Sequence, residues 1–202
     1  QVFAVRYRLE PKPQDLEKYK RGELVEPIKP IVYYVDPATP KKWVPYLIAG
    51  VNDWNVAFEK AGWKNAIVGK EWPNDSTMSL EDARFSVIRY FASDIENAYG
   101  PQVHDPRSGE ILESHVGWYH NVMSLVHDWY MVQTAAVDPA ARKMHFDDEL
   151  MGNLIRFVSS HEIGHTIGLR HNMGSSSKTP VEKLRDKTWV EANGHTASIM
   201  DY

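Results

Sequence analysis

Apolar positions along the chain change period from one stretch to the next. Between residues 42 and 61 the large apolar side chains Trp43, Leu47, Val51, Trp54, Phe58 and Ala61 step by threes and fours, the period of a helix with one face on a sheet. Gly62 is its natural stop. Residues 30–36, opened by Pro30 and closed by Asp36 and Pro37, are a continuous β-branched and aromatic run, as are residues 86–91; both read as strands. Shorter extended stretches are predicted at 2–9 and 65–68. Two more, 99–104 and about 111–118, are separated by the turn chemistry of residues 105–110. Helical periodicity returns at 121–136, which stops before Asp138 and Pro139, and at 149–168, with Asp147 and Asp148 as N-cap candidates. Residues 15–21 read as a short helix or loop and 74–82 as a polar loop. Residues 179–186 read as a short helix with Thr179 capping and Pro180 in its first turn. Strand, helix, three or four strands, then helices is the order of an α+β domain with helices packed against a mixed sheet.

The first 30 residues are polar and interrupted by Pro11, Pro13, Pro27 and Pro30, so they read as an N-terminal extension or linker, with the domain proper over 31–202. A length of 202 residues suits one such domain. The net charge of −4 offers no basic footprint for nucleic acid. The chain has no Cys, which removes disulfides, thiolate metal sites and a Cys nucleophile together. No apolar run approaches the roughly 20 residues that span a bilayer, so no transmembrane segment is expected. The chain starts at Gln1 without a signal-like stretch and stops at Tyr202 inside a motif. It is therefore expected to be a processed product or a cut from something longer, with further domains in the full-length protein.

The chemistry sits in residues 161–171, which read HEIGHTIGLRH. His161 and His165 are four apart on a predicted helix, so both imidazoles lie on one face and can share a metal. Glu162 is rotated about 100° from His161, beside the metal without being a ligand. At Gly168 the helix must end, because a residue without Cβ can take the conformation that turns the chain. That turn returns His171 as a third nitrogen ligand. Three neutral nitrogens with a vacant fourth position describe a catalytic zinc site. The five-residue core alone arises by chance in a chain this long at roughly the 1% level; requiring Gly168 and His171 makes chance a poor explanation.

The long motif is identified as the metzincin signature. Residues 198–202, Ser-Ile-Met-Asp-Tyr, resemble its second half, a tight turn in which a Met lies under the metal as an apolar floor, here Met200. The Ser-Ile-Met-x-Tyr form resembles the astacin and serralysin branches, where the Tyr reaches the zinc or the transition-state oxyanion. Tyr202 holds that position. Residues 105–111, 169–172 and 198–202 together resemble a family of large bacterial metzincin-like proteins that are secreted or outer-membrane-associated. The resemblance implies a zincin domain: a mixed twisted sheet with an antiparallel edge strand, a backing helix and a long active-site helix. It also implies an extracellular, periplasmic or outer-membrane location. Asn172 departs from the Glu, Asp or Ser that astacins, adamalysins and matrix metallopeptidases carry after the third His, so their substrate preferences do not transfer. Residues 145–149 resemble a matrix-metallopeptidase stretch near calcium sites. An N-cap is the simpler reading there, and turn residues the simpler reading of Asp105, Arg107 and Glu110.

The remaining His104, His115, His120, His127, His145 and His195 show no ligand spacing. His104 and His115 flank the expected hairpin and would touch substrate only if it overlies the cleft. The expected activity is zinc-dependent endopeptidase: water held at the metal attacks a peptide carbonyl while Glu162 takes its proton. Extended substrate would pair with an edge strand, for which 99–104 is the candidate. Two alternatives stand beside it. One is a zinc-binding domain with a protein- or glycan-binding role and little turnover, against which the intact Glu162 argues; the other is a zinc hydrolase of another kind, such as an amidase.

Overall fold

The computed structural model describes residues 3–201. Its strands are β1 (Ile31–Val35), β2 (Ile67–Glu71), β3 (Ser86–Phe91), β4 (Ala98–Tyr99), β5 (Val103–His104), β6 (Ile111–Glu113) and β7 (His115–Tyr119). Its helices are α1 (Leu16–Lys20), α2 (Val44–Asn52), α3 (Asn55–Lys60), α4 (Val122–Thr134), α5 (Asp148–Thr166) and α6 (Lys187–Asn193). The main sheet runs β2-β1-β3-β7-β4, with β4 alone antiparallel, at the edge. This is the mixed sheet with an antiparallel edge strand that the sequence leads one to expect.

On β1 the side chains of Ile31, Tyr33 and Val35 are buried at every second position. They join Ile67, Ile88, Val116 and Trp118 of the neighbouring strands, Leu47 and Val51 of α2, and Ile155 and Ile163 of α5 in one core. Burial of each large aliphatic side chain contributes about 1.5–3 kcal/mol. The backing helix and the active-site helix approach closely because small residues sit between them. A Cβ on Gly50 would stand 2.6 Å from Ser159 Cβ, and one on Gly152 would stand 2.2 Å from the Tyr46 ring. The Ser159 hydroxyl then donates to Leu47 O at 2.9 Å, satisfying a buried polar group inside the contact.

Several expected elements are interrupted, each for a tertiary reason. The helix expected over 42–61 is two, α2 and α3, joined through Asp53 and Trp54, whose backbones stay right-handed. At that joint Asp53 pairs with Arg156 and the Trp54 indole donates to Ser160 O at 2.8 Å, so contacts with α5 override an unbroken local period. Gly62, at φ +93°, closes α3 as expected. The stretch 99–104 is not one strand: Gly100 and Pro101 separate β4 from β5, and β5 pairs with β6 in a two-stranded ribbon. The stretch 111–118 divides at fully buried Ser114, whose N–H donates to Ser86 Oγ at 3.0 Å and whose hydroxyl donates to Pro101 O. Thr179 is not an N-cap; it closes the 3-10 turn Ser176–Lys178, its N–H donating to Ser176 O at 3.0 Å. Residues Val181–Arg185 form a 3-10 turn, and Asp186 caps α6 by accepting from Trp189 N–H at 3.1 Å.

The strand expected over 2–9 is reduced to one parallel bridge between Arg6 and Glu110; Val2 lies outside the described residues. Tyr7 and Leu9 nevertheless pack on the core. The Tyr7 hydroxyl lies 3.0 Å from that of Tyr33, which donates to Thr166 Oγ1 at 2.7 Å.

Candidate metal centre and active site

Helix α5 is built to start and stop at fixed points. Asp147 caps it, accepting from Leu150 N–H at 2.9 Å, and Asp148 and Glu149 place negative charge at the positive end of the helix dipole. At the other end Leu169 N–H donates to Gly164 O and Gly168 N–H to His165 O, both at 3.0 Å. With Gly168 at φ +103° this is a Schellman closure. The same turn orients the second histidine, because Leu169 O accepts from His165 Nδ1 at 3.0 Å.

His171 comes back over this turn. Its Nε2 stands 3.2 Å from His161 Nε2 and 3.0 Å from His165 Nε2. His161 Nδ1 lies 2.8 Å from Ile199 O. A carbonyl only accepts, so Nδ1 carries the proton on both His161 and His165, and each neutral ring turns the lone pair of Nε2 towards the others. Burial pushes the His161 imidazole below its ordinary range, which favours that neutral form. Nitrogens around a tetrahedral zinc at 2.0–2.1 Å stand about 3.3 Å apart. The donor set therefore fits zinc in chemistry, His171 Nε2 stands at zinc-ligand spacing from both other nitrogens, and one ligand atom of each ring lies within 4.8 Å of the others. Among the described residues, His161, His165 and His171 are the one group of three His, Cys, Asp or Glu side chains able to share a metal ion.

Glu162, next to His161 on α5, is 8% exposed. Burial pushes its carboxyl up to about 7, against the Gly100 N–H, which pulls it down. Gly100 is also where the edge of the sheet meets the helix: a Cβ there would stand 2.2 Å from Glu162 O and 3.1 Å from Thr166 Cγ2. Met200 is 1% exposed and packs beneath the helix, where a Cβ on Gly164 would stand 2.3 Å from its sulfur and 2.8 Å from the Trp54 ring. Gly168 is constrained twice, by its positive φ and by Val5 O, which a Cβ would approach to 2.3 Å. Tyr202 lies outside the described residues.

Residues 143–202 match the family model described as Met-zincin. The domain is metzincin-like. No curated protein and no solved structure matches the chain.

Outside the three-histidine group of this metzincin-like domain, the other histidines have local partners or are exposed. His104 bonds Gln102, His120 bonds the Tyr90 hydroxyl, His127 bonds Asp128 and Lys143 O, and His115 stands 3.7 Å from Glu113. His145 and His195 are exposed. Asp147 serves as the N-cap and Asp148 pairs with Lys42, while Asp105 pairs with Arg107. No helix of the described residues is long and apolar enough to cross a membrane.

Sequence reasoning missed Gly100, Gly164, Trp54 and Asp201. Gly164 left a signal: a glycine inside a helix costs about 1 kcal/mol relative to alanine, so it needs a packing reason.

Proposed function

We propose that this domain is a zinc-dependent endopeptidase in which His161, His165 and His171 hold the metal and Glu162 is the general base. The reading is carried by the convergence of three imidazole nitrogens, two of them fixed in tautomer by backbone carbonyls, with a buried carboxylate on the residue that follows His161. Zinc at such a site lowers the pKa of water towards about 7 and polarises a peptide carbonyl. Glu162 accepts the proton of the attacking water and returns it to the leaving amine. Its burial keeps its proton affinity close to neutrality, where one group can serve both transfers. The Gly100 N–H orients the carboxylate. An extended substrate adds to the edge of the sheet at β4 by main-chain pairing. Tyr202, two residues after Met200, is assigned the hydrogen bond to the oxyanion. The reading carries with it a location outside the cytoplasm: extracellular, periplasmic or outer-membrane-associated.

Digestion of a labelled protein with and without chelator tests the activity, and metal analysis tests the ligands. The wild-type chain is expected to hold about one zinc and to cleave in a chelator-sensitive way; His161→Ala and His165→Ala each abolish tight binding. Stoichiometric zinc in the double variant would sink the ligand assignment. Full zinc without turnover would favour the protein- or glycan-binding alternative.

A further inference from the structure

Three consecutive residues of the Met turn touch three different parts of the site. Ile199 O accepts from His161 Nδ1 at 2.8 Å. Met200 fills the space beside Gly164, and its carbonyl accepts from Asn172 N–H at 2.8 Å, one residue beyond His171. Asp201 reaches further along the same segment. Its Oδ2 accepts from Ser175 Oγ at 2.8 Å, from Ser176 N–H at 2.5 Å and from Thr196 Oγ1 at 3.3 Å. The Ser175 and Thr196 hydroxyls lie 2.8 Å from each other. One carboxylate oxygen thus ties both the start and the end of the excursion 172–198 to the turn beneath the metal site.

That excursion has little else to hold it. Within residues 172–198 Ser175 is the one buried residue and Trp189 and Val190 are only partly buried, so apolar burial contributes little to its position. Asp201 and Ser175 are 8% and 7% exposed, which makes their bonds the protected ones. Hydrogen bonds to an ionised acceptor are roughly twice as strong as neutral ones. The donors, the Ser175 hydroxyl foremost, hold the Asp201 carboxyl below the usual carboxylate range.

We propose that Asp201 is a positioning residue that clamps the His171-bearing segment against the Met turn, and so governs how long His171 stays with His161 and His165 around a bound metal. The proposal rests on the metal reading of the three histidines. Removing the carboxylate takes the acceptor from the buried Ser175 hydroxyl and from the part-buried Ser176 N–H, a loss expected to raise the rate of opening roughly fivefold or more. An amide at 201 keeps the shape and can turn its carbonyl oxygen to the three donors that now meet Oδ2, but it loses the charge, so it recovers part of the clamp.

Two readouts test this on the full chain. Zinc release from the loaded protein to an excess of chromophoric chelator reads the site. Backbone hydrogen exchange over residues 172–178 of the zinc-free protein reads the clamp without the metal. Asp201→Ala is expected to raise both by roughly fivefold or more, with Asp201→Asn intermediate and Ser175→Ala smaller still. A folded Asp201→Ala protein with wild-type release and wild-type protection overturns the clamp. If the wild-type chain takes up no zinc, the metal reading fails, and the exchange comparison still decides the clamp. If Asp201→Ala does not fold, Ser175→Ala decides: faster release and exchange uphold the clamp, and wild-type values in the folded protein overturn it.

Discussion

The two halves of the candidate site are held by different physics. The helical half, 148–168, is tied to the core through Ile155 and Ile163, capped by Asp147 and closed by the Gly168 turn. It meets its neighbours through residues with no Cβ: Gly152 against Tyr46 and Gly164 against Met200. The loop half, 169–201, buries just Ser175, Met200 and Asp201. It is fixed by polar contacts that reach across sequence, such as Asn172 N–H to Met200 O and the donors on Asp201. His161 and His165 thus ride on a preorganised scaffold, while His171 rides on a segment whose place depends on a few anchors. A substitution in the first half should act on chemistry or global stability, and one in the second on metal retention.

The largest effect expected within the helical half is on chemistry alone. Glu162→Gln keeps nearly the same shape but cannot take a proton, so zinc content and the unfolding transition should stay at wild-type values. Peptidase turnover should fall by about 10²–10⁴-fold, the usual worth of a general acid-base. Single-turnover cleavage measured beside metal content checks it. An active variant with normal zinc would place the base elsewhere.

The same division explains what was legible in the sequence. The helical half was readable because its signals are local: a carboxylate cap, a 3.6-residue period, histidines at i and i+4, and a glycine where the chain must turn. Strands β1 and β3 were readable for the same reason, as compact apolar runs. The breaks at Trp54, at Gly100 and Pro101, and at Ser114 were not, because each is set by a partner far along the chain: Ser160 O, Glu162 O, and Ser86 with Pro101. In the loop half the sequence offered Met200 through resemblance to a known turn. Asp201, inside that same motif, gave no local sign of reaching back to Ser175, 26 residues earlier. A single sequence shows periodicity and turn chemistry well; it does not show which polar side chains find each other.

The joint between the halves should respond next most strongly. An alanine at 168 would have to hold a φ of +103° and bring its Cβ to 2.3 Å from Val5 O, a backbone atom that yields only if residues 3–9 shift. Left-handed backbone costs a non-glycine residue roughly 1–2 kcal/mol, and forced overpacking about 1–3 kcal/mol more. Gly168→Ala is therefore expected to lose about 2–5 kcal/mol in urea unfolding and to release zinc faster, since the turn that fails is the one delivering His171 and holding His165 Nδ1. A loss below about 1 kcal/mol with unchanged zinc release would mean the turn can be rebuilt, and the halves are less sharply joined than the geometry suggests.

The smallest effect is expected where the helical half has a buried polar contact but does not depend on it. Tyr33 is fully buried, and burial raises its hydroxyl pKa well above the ordinary value, so it stays protonated and serves as a neutral hydrogen-bonding group. It donates to Thr166 Oγ1 at 2.7 Å, immediately after His165, which makes it look like a support for the metal site. The partners have other bonds, however. Thr166 Oγ1 also donates to Ile163 O at 2.7 Å, and the Tyr7 hydroxyl lies 3.5 Å from Ser86 Oγ, close enough to turn to it. Tyr33→Phe keeps the ring that fills the core and strands no donor, so the cost should be that of an ordinary net hydrogen bond, about 0.5–1.5 kcal/mol. Zinc release and turnover should not change, because the cap, the Gly168 turn and the Met200 floor all remain. Equilibrium unfolding with a zinc-release assay separates the outcomes. A loss above about 3 kcal/mol, or faster zinc release at unchanged fold, would show that the Tyr7–Tyr33–Thr166 chain holds the end of α5. The helical half would then depend on a polar anchor as the loop half depends on Asp201, and the contrast between them would be one of degree.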